Sequence, residues 1–356
     1  MQDFSSLILP APPPLDLAWL AHEEFAGLRK PKPVMAVVER QPIYASECRA
    51  RNAAMMAPGA RDHYLSQGIH VETLTVPSRR DNDDYEIPVL RYELEEDLKS
   101  DQDLMGKTIL VYIHGGGLLV GEADSEDLTC RRLVNSFASS AAPTIPSAQG
   151  PQKGARQDVK LYSIGYRLMP QVPASTCVSD VLSAFEAIRD LHEHGKFILV
   201  GSSSGGELAA LLSQTLLPGS LHGLVLRCPV TTDAPSHMPA QFKEWHTSAS
   251  PRFTTSLLGL FTREQPRDGL ERMPLEMPVE KIRTLNLPRT WIQVCSNDVL
   301  YSDGICYAKL LHDSGVEVKV DVVEGWPHTF WLKAPHLERA LLADEEMLKG
   351  LAWILG

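Results

Sequence analysis

FILVGSSSGGELAALL, Phe197 to Leu212, begins with an apolar run that reads as a buried strand and ends in a run that reads as the start of a helix. Between them lie Gly201, Ser202, Ser203, Ser204 and Gly205. A tight strand-to-helix turn leaves little room for neighbouring side chains, and the glycines supply that room. The G-x-S-x-G spacing thrusts the middle serine, Ser203, outward. At a helix N-terminus, free N–H groups and the helix dipole favour an alkoxide or an oxyanion. Alone, these residues would equally serve as a small-residue turn without chemistry, so the rest of the chain has to decide.

Upstream, VYIHGGGLLVGEADSED brings His114-Gly115-Gly116-Gly117 directly after an apolar strand. Consecutive glycines let backbone N–H groups face one point unobstructed. Acyl transfer needs such a point, because charge gathers on the carbonyl oxygen of the tetrahedral intermediate. The expected oxyanion-hole donors are the amides of Gly116, Gly117 and Ser204. His114 reads as a brace for the loop rather than a base. A phosphate-cradling loop would be followed by Lys and Ser or Thr, and this one is not.

A nucleophilic serine needs a base, and the base an orienting acid. TWIQVCSNDVLYSDG puts Asp298 at the end of an apolar strand, and VVEGWPHTFW puts His328 in a loop after the last strand. Singly, Asp298 reads as well as a helix cap and His328 as a packed loop histidine. Together with the elbow and the glycine loop they form the expected catalytic set Ser203, Asp298, His328, in the chain order Ser-Asp-His. Asp303 is the alternative acid, though its position suits the N-cap of the following helix.

The surrounding pattern is α/β. IHVETLTVP (69–77) and YEIPVLRYEL (85–94) alternate and predict an antiparallel start to a sheet. TILVYIH, KLYSIGY, FILVG, LVLRCPV and TWIQVCSND are apolar on both parities, as in parallel strands covered on both faces. Helical patterns over 125–138, 175–192, 204–217, 303–314 and 335–355 separate them. The expectation is a mostly parallel central sheet with helices on both faces and a helical cap. Residues 1–66 form an N-terminal helical cap segment, 67–232 and 290–356 the core, and 233–289 an inserted cap segment. The stretch 139–158, rich in Pro, Gly, Ala and Ser, reads as a mobile loop. Leu118 and the cap residues Trp245, Phe253, Leu257 and Phe261 are candidates for an apolar substrate pocket, with packing of the cap itself as the alternative.

Charge narrows the function classes. Among 356 residues, 34 Lys+Arg against 45 Asp+Glu give a net charge of −11, which disfavours nucleic acid and anionic membrane surfaces. No apolar run reaches the roughly 18 residues of a membrane span, and the start of the chain lacks the pattern of a secretory signal. The six scattered cysteines have no metal-like spacing and suit reduced, buried thiols, so a cytoplasmic location is expected.

The set resembles the hormone-sensitive-lipase-like carboxylesterase group of α/β-hydrolases, marked by an H-G-G-G loop. SIGYRLMPQVPAS resembles its Y-R-L-A-P-E-x-P segment, Asp180 and Gly121 match its aspartate and glycine positions, and SNDVLYSDG resembles its D-x-L-x-D segment. The similarity spans about residues 68–356, and the inserted segments look most like fungal members among secondary-metabolite enzymes. The resemblance implies the α/β-hydrolase fold, a serine esterase without metal or cofactor, a small-molecule acyl substrate, and a homodimer through an edge strand as one option. It leaves open polyketide-type release, cyclisation or acyl transfer at the same site, and a receptor that binds without catalysis. Three positions depart from the family: Ser202 stands where an acidic residue is usual, Ser204 where alanine is, and Gln171 where glutamate is.

Overall fold

The computed structural model describes residues 3–30, 35–79, 84–99, 107–138, 159–233, 237–250, 253 and 269–356. The expected loop at 139–158 and the candidates Leu257 and Phe261 lie outside these residues.

Eight strands form one sheet: β1 (Ile69–Pro77), β2 (Glu86–Leu94), β3 (Thr108–Ile113), β4 (Val159–Ile164), β5 (Lys196–Ser202), β6 (Gly223–Arg227), β7 (Thr290–Asn297) and β8 (Val318–Pro327). Their order is β1-β2-β4-β3-β5-β6-β7-β8. β2 pairs antiparallel with both β1 and β4, and every later pairing is parallel.

Strand β3 shows why the sheet is covered twice. All six of its residues are buried. Ile109, Val111 and Ile113 join one core with Phe185, Leu208 and Ile305, while Leu110 and Tyr112 join another with Leu133, Met347 and Leu351. Side chains that alternate across a strand thus meet α4 (Ala174–Leu191), α5 (Ser204–Ser213) and α7 (Tyr301–Asp313) on one face. On the other they meet α3 (Asp127–Ala138) and α9 (Glu338–Leu355). Each large apolar side chain buried this way contributes about 1.5–3 kcal/mol.

The N-terminal segment runs along the ends of the last strands. Asn297 Nδ2 donates to Pro13 O at 2.7 Å, Asp16 N donates to Gly325 O at 2.9 Å, and Trp19 is fully buried against Trp326. After α1 (Leu17–Phe25) comes α2 (Val37–Met56), which carries Pro42 inside it. Proline removes one helical N–H. The helix holds because Tyr44, Ala45 and Cys48 are buried and Gln41 Nε2 donates to Leu119 O and Met169 O, each at 3.0 Å.

Candidate active site

The site gathers at the carboxyl ends of the parallel strands, where open α/β sheets hold ligands. Strand β5 ends at Ser202 and α5 starts at Ser204, so Ser203 alone makes the turn, at φ 55° and ψ −120°. A positive φ at a non-glycine residue stores about 1–3 kcal/mol of strain. Local bonds hold it: Ser203 N donates to Arg227 O (2.8 Å), and Ser203 O accepts from Gly206 N (2.9 Å) and Val230 N (3.3 Å). A side chain at Gly201 would collide with the Gly205 carbonyl, and one at Gly205 with the Ile113 carbonyl. Both glycines of the elbow are therefore steric requirements.

His328 follows β8 and Asp298 follows β7. His328 Nε2 stands 2.8 Å from Ser203 Oγ, and its Nδ1 stands 2.6 Å from Asp298 Oδ2. Asp298 Oδ1 accepts from Leu300 N at 2.9 Å, which fixes the carboxylate plane. With Nδ1–H donating to Asp298, Nε2 presents its lone pair to the serine hydroxyl. Burial opposes charge on the imidazole, but the charge and hydrogen bond of Asp298 outweigh it and raise the pKa above the ordinary histidine value. Such an array can take the serine proton and hold it.

The glycine loop lies opposite. Gly116 and Gly117 have φ 133° and 67°, conformations open to glycine. The Ser204 amide sits at the first position of α5, where no intrahelical acceptor exists. His114 is buried and stacked on Tyr166, ring centroids 4.3 Å apart, and its Nδ1 is 2.8 Å from Gly115 O. Burial lowers its pKa to about 4, leaving a neutral ring that props the loop. Leu118 is buried with φ 61°, and its amide donates to Ser204 Oγ at 3.2 Å. The serine that replaces the family's alanine thus ties the loop to the helix. Ser202 gains no such role, because among the described residues its buried hydroxyl has no partner.

Asp303 is not the helix N-cap expected of it. Helix α7 starts at Tyr301 with Leu300 as its cap, and Asp303 lies in the first turn. Its carboxylate accepts from the amides of Thr231 (2.8 Å) and Thr232 (3.1 Å) and meets His246 Nε2 at 2.9 Å. Tertiary bonds across the sheet edge replace the local one. Among the pocket candidates, Phe253 is buried and stacks on Tyr301 at 6.3 Å, and Trp245 packs on the main core beneath Lys309. Arg167 and Asp180 form a 2.7 Å ion pair.

Two neighbours had no signal in the sequence. Cys228, at φ 46°, brings its Sγ beside the histidine; this sulfur, an Asp298 oxygen and a His328 nitrogen lie within 4.8 Å of one another. Both imidazole nitrogens are already engaged, so a metal on this set would have to break the Asp298 or the Ser203 bond. Glu126 accepts from Gly115 N at 3.0 Å. Nothing in its sequence context marks it.

Residues 152–332, just over half the chain, match the alpha/beta hydrolase fold family, and the chain belongs to that family. Its similarities run to esterase-type, carboxylesterase-like members. The versiconal hemiacetal acetate esterase of Dothistroma septosporum is 26% identical over 257 residues, 68% of this chain and 72% of that protein. The FAD-linked oxidoreductase pytB of Aspergillus terreus is 25% identical over 256 residues, 69% of this chain but 29% of that longer protein. Among solved structures, vibralactone cyclase shares the fold with a TM-score of 0.69 at 21% identity, covering 93% of this chain and 94% of its own. Among the described residues no helix is long and apolar enough to cross a membrane.

Proposed function

We propose that the protein is a serine esterase acting on a carboxylic ester, lactone or thioester of a small, mostly apolar compound, with Ser203 as nucleophile, His328 as base and Asp298 as orienting acid. One observation carries this reading: the continuous Ser203–His328–Asp298 chain, at 2.8 and 2.6 Å, on a strained elbow. His328 Nε2 takes the Ser203 proton as Oγ attacks the substrate carbonyl. The amides of Gly116, Gly117 and Ser204 hold the oxyanion, and Asp298 stabilises the imidazolium. His328 then returns the proton to the leaving alkoxide or thiolate. Water repeats the sequence on the acyl-enzyme, releasing the acid and restoring Ser203.

Residues 1–66 and 233–289 serve as the cap in this reading, over a core of 67–232 and 290–356. Leu118, Trp245 and Phe253 supply apolar pocket wall. The six buried cysteines, read as reduced thiols, support a cytoplasmic protein. A second reading, intramolecular attack on the acyl-enzyme to give a ring, is favoured by the structural similarity to a cyclase. Product mass separates the two, since hydrolysis adds water and cyclisation does not.

The deciding experiment is intact-mass spectrometry after fluorophosphonate treatment of wild type and Ser203→Ala. One adduct on wild type and none on the variant is the expected result. Folded wild type that stays unlabelled would refute the assignment.

A further inference from the structure

We propose that Glu126 is a positioning residue for the oxyanion loop, setting the direction of the Gly116 and Gly117 amides by anchoring Gly115. This rests on the esterase reading above. Glu126 Oε1 accepts from Gly115 N at 3.0 Å, and Oε2 accepts from the Tyr112 hydroxyl at 2.6 Å. Tyr112 belongs to β3, the strand that leads into the loop, and Glu126 stands just ahead of α3. One carboxylate thus ties the last turn before a helix to both the strand end and the loop's first glycine.

Its burial gives the clearest reason to look beyond stability. Glu126 is 2% exposed. A buried carboxylate loses hydration that two neutral donors replace only in part, and an apolar side chain there would be the simpler way to fill the space. Burial accordingly drives its pKa up, while the Tyr112 and Gly115 bonds draw it back. Those bonds direct the carboxylate to where precision matters most. Gly115 is flanked on its other side by the elbow itself: a side chain there would press on Ser202 O and Ser203 Cβ, 2.8 and 3.1 Å away. Rotation of the Gly115 peptide would therefore carry Gly116 N and Gly117 N off the point where oxygen charge develops. Donors fixed in advance are what electrostatic stabilisation of a transition state requires.

The test compares Glu126→Leu, Glu126→Gln and Tyr112→Phe with wild type. Leucine has no acceptor. Glutamine keeps an oxygen for Gly115 N and can donate its amide to the Tyr112 hydroxyl. The expected result for Glu126→Leu is a kcat lower by about 10- to 100-fold, short of the loss from deleting an oxyanion donor, with KM within about threefold. Glu126→Gln should recover to within about threefold of wild type. Backbone hydrogen exchange over residues 114–118 should quicken in Glu126→Leu and not in Glu126→Gln. Tyr112→Phe, which leaves Gly115 bonded to a looser carboxylate, should lose kcat several-fold without a change in KM, and it serves if the leucine variant does not fold.

A folded Glu126→Leu with wild-type kcat would overturn the proposal, as would a glutamine variant as impaired as the leucine one. Activity that falls only in step with the folded fraction would overturn it too. Fluorophosphonate labelling of wild type is run alongside. Its absence would mean that the esterase reading had failed, whereas labelled wild type with an indifferent Glu126→Leu would mean that only the positioning role had.

Discussion

His246 Nε2 lies 2.9 Å from Asp303 Oδ1, with both side chains buried, whereas the Asp298–His328 pair at 2.6 Å joins a buried aspartate to a part-buried histidine. The two differ in what else they hold. His328 reaches Ser203 Oγ, whereas Asp303 staples the Thr231 and Thr232 amides that follow β6. Replacing His246 by alanine should therefore lower stability by about 1–3 kcal/mol, the usual result of stranding a buried hydrogen-bond partner. Labelling of Ser203 by a fluorophosphonate should persist. Denaturant melts and intact mass on the same sample check both, and a folded but unlabelled variant would contradict the division of roles.

The raised pKa of His328 has a direction that kinetics can read. A histidine whose pKa is raised stays protonated to higher pH, and only the neutral ring accepts the serine proton. The acid limb of kcat/KM should thus lie above the ordinary histidine value of 6.5, with the rate climbing as pH passes through the limb. Asp298→Asn removes the charge that raises it. The limb should move to lower pH while kcat drops about 10³-fold or more, because the tautomer is no longer enforced. A limb that stays in place in Asp298→Asn would show that another group titrates there.

His114 should behave differently although it stands at the same strand ends. With its pKa lowered to about 4, the ring is neutral throughout the assay range. Alanine at this position removes the stack on Tyr166 and the bond to Gly115 O. We expect kcat to fall about tenfold or more through misdirected loop amides, with no movement of the pH limb. A displaced limb in His114→Ala would make His114 a proton carrier after all.

Glu207 sets a pH dependence of stability. It is buried one turn beyond Ser203, and burial, with Asp303 and Asp233 nearby, pushes its pKa from the ordinary 4.5 up to about 8. Between those values the folded chain holds a proton that the unfolded chain has lost, so this residue makes stability decline as pH rises across the window. Glu207→Gln should raise Tm at pH 8–9 by roughly 2 °C or more and change it little near pH 5. Thermal melts at the two pH values decide it. An equal shift at both would mean that packing, not ionisation, is responsible.

Much of this architecture was legible in local sequence. The strand-glycine-helix junction around Ser203, the H-G-G-G loop and the doubly apolar strands each express short-range rules: steric room at a turn, or side-chain period on a covered sheet. The Asp and His positions were legible because they fall directly after strands, and parallel strands deliver their carboxyl ends to one edge. Helix α2 was less so, since a proline inside it masks the pattern that its buried face restores.

The class of fold, the elbow at Ser203 and the set of residues brought to one edge of the sheet can all be read along the chain. These follow from spacing along the chain. Which carboxylate meets which histidine is settled by the packed fold. Asp298 and Asp303 are five residues apart, and one turn of helix sends the first to His328 and the second to His246. It alone also decided that Cys228 stands beside the histidine and that Glu126 grips Gly115. Such pairings depend on strand order and on close packing between distant segments, and no periodicity within a single segment encodes them.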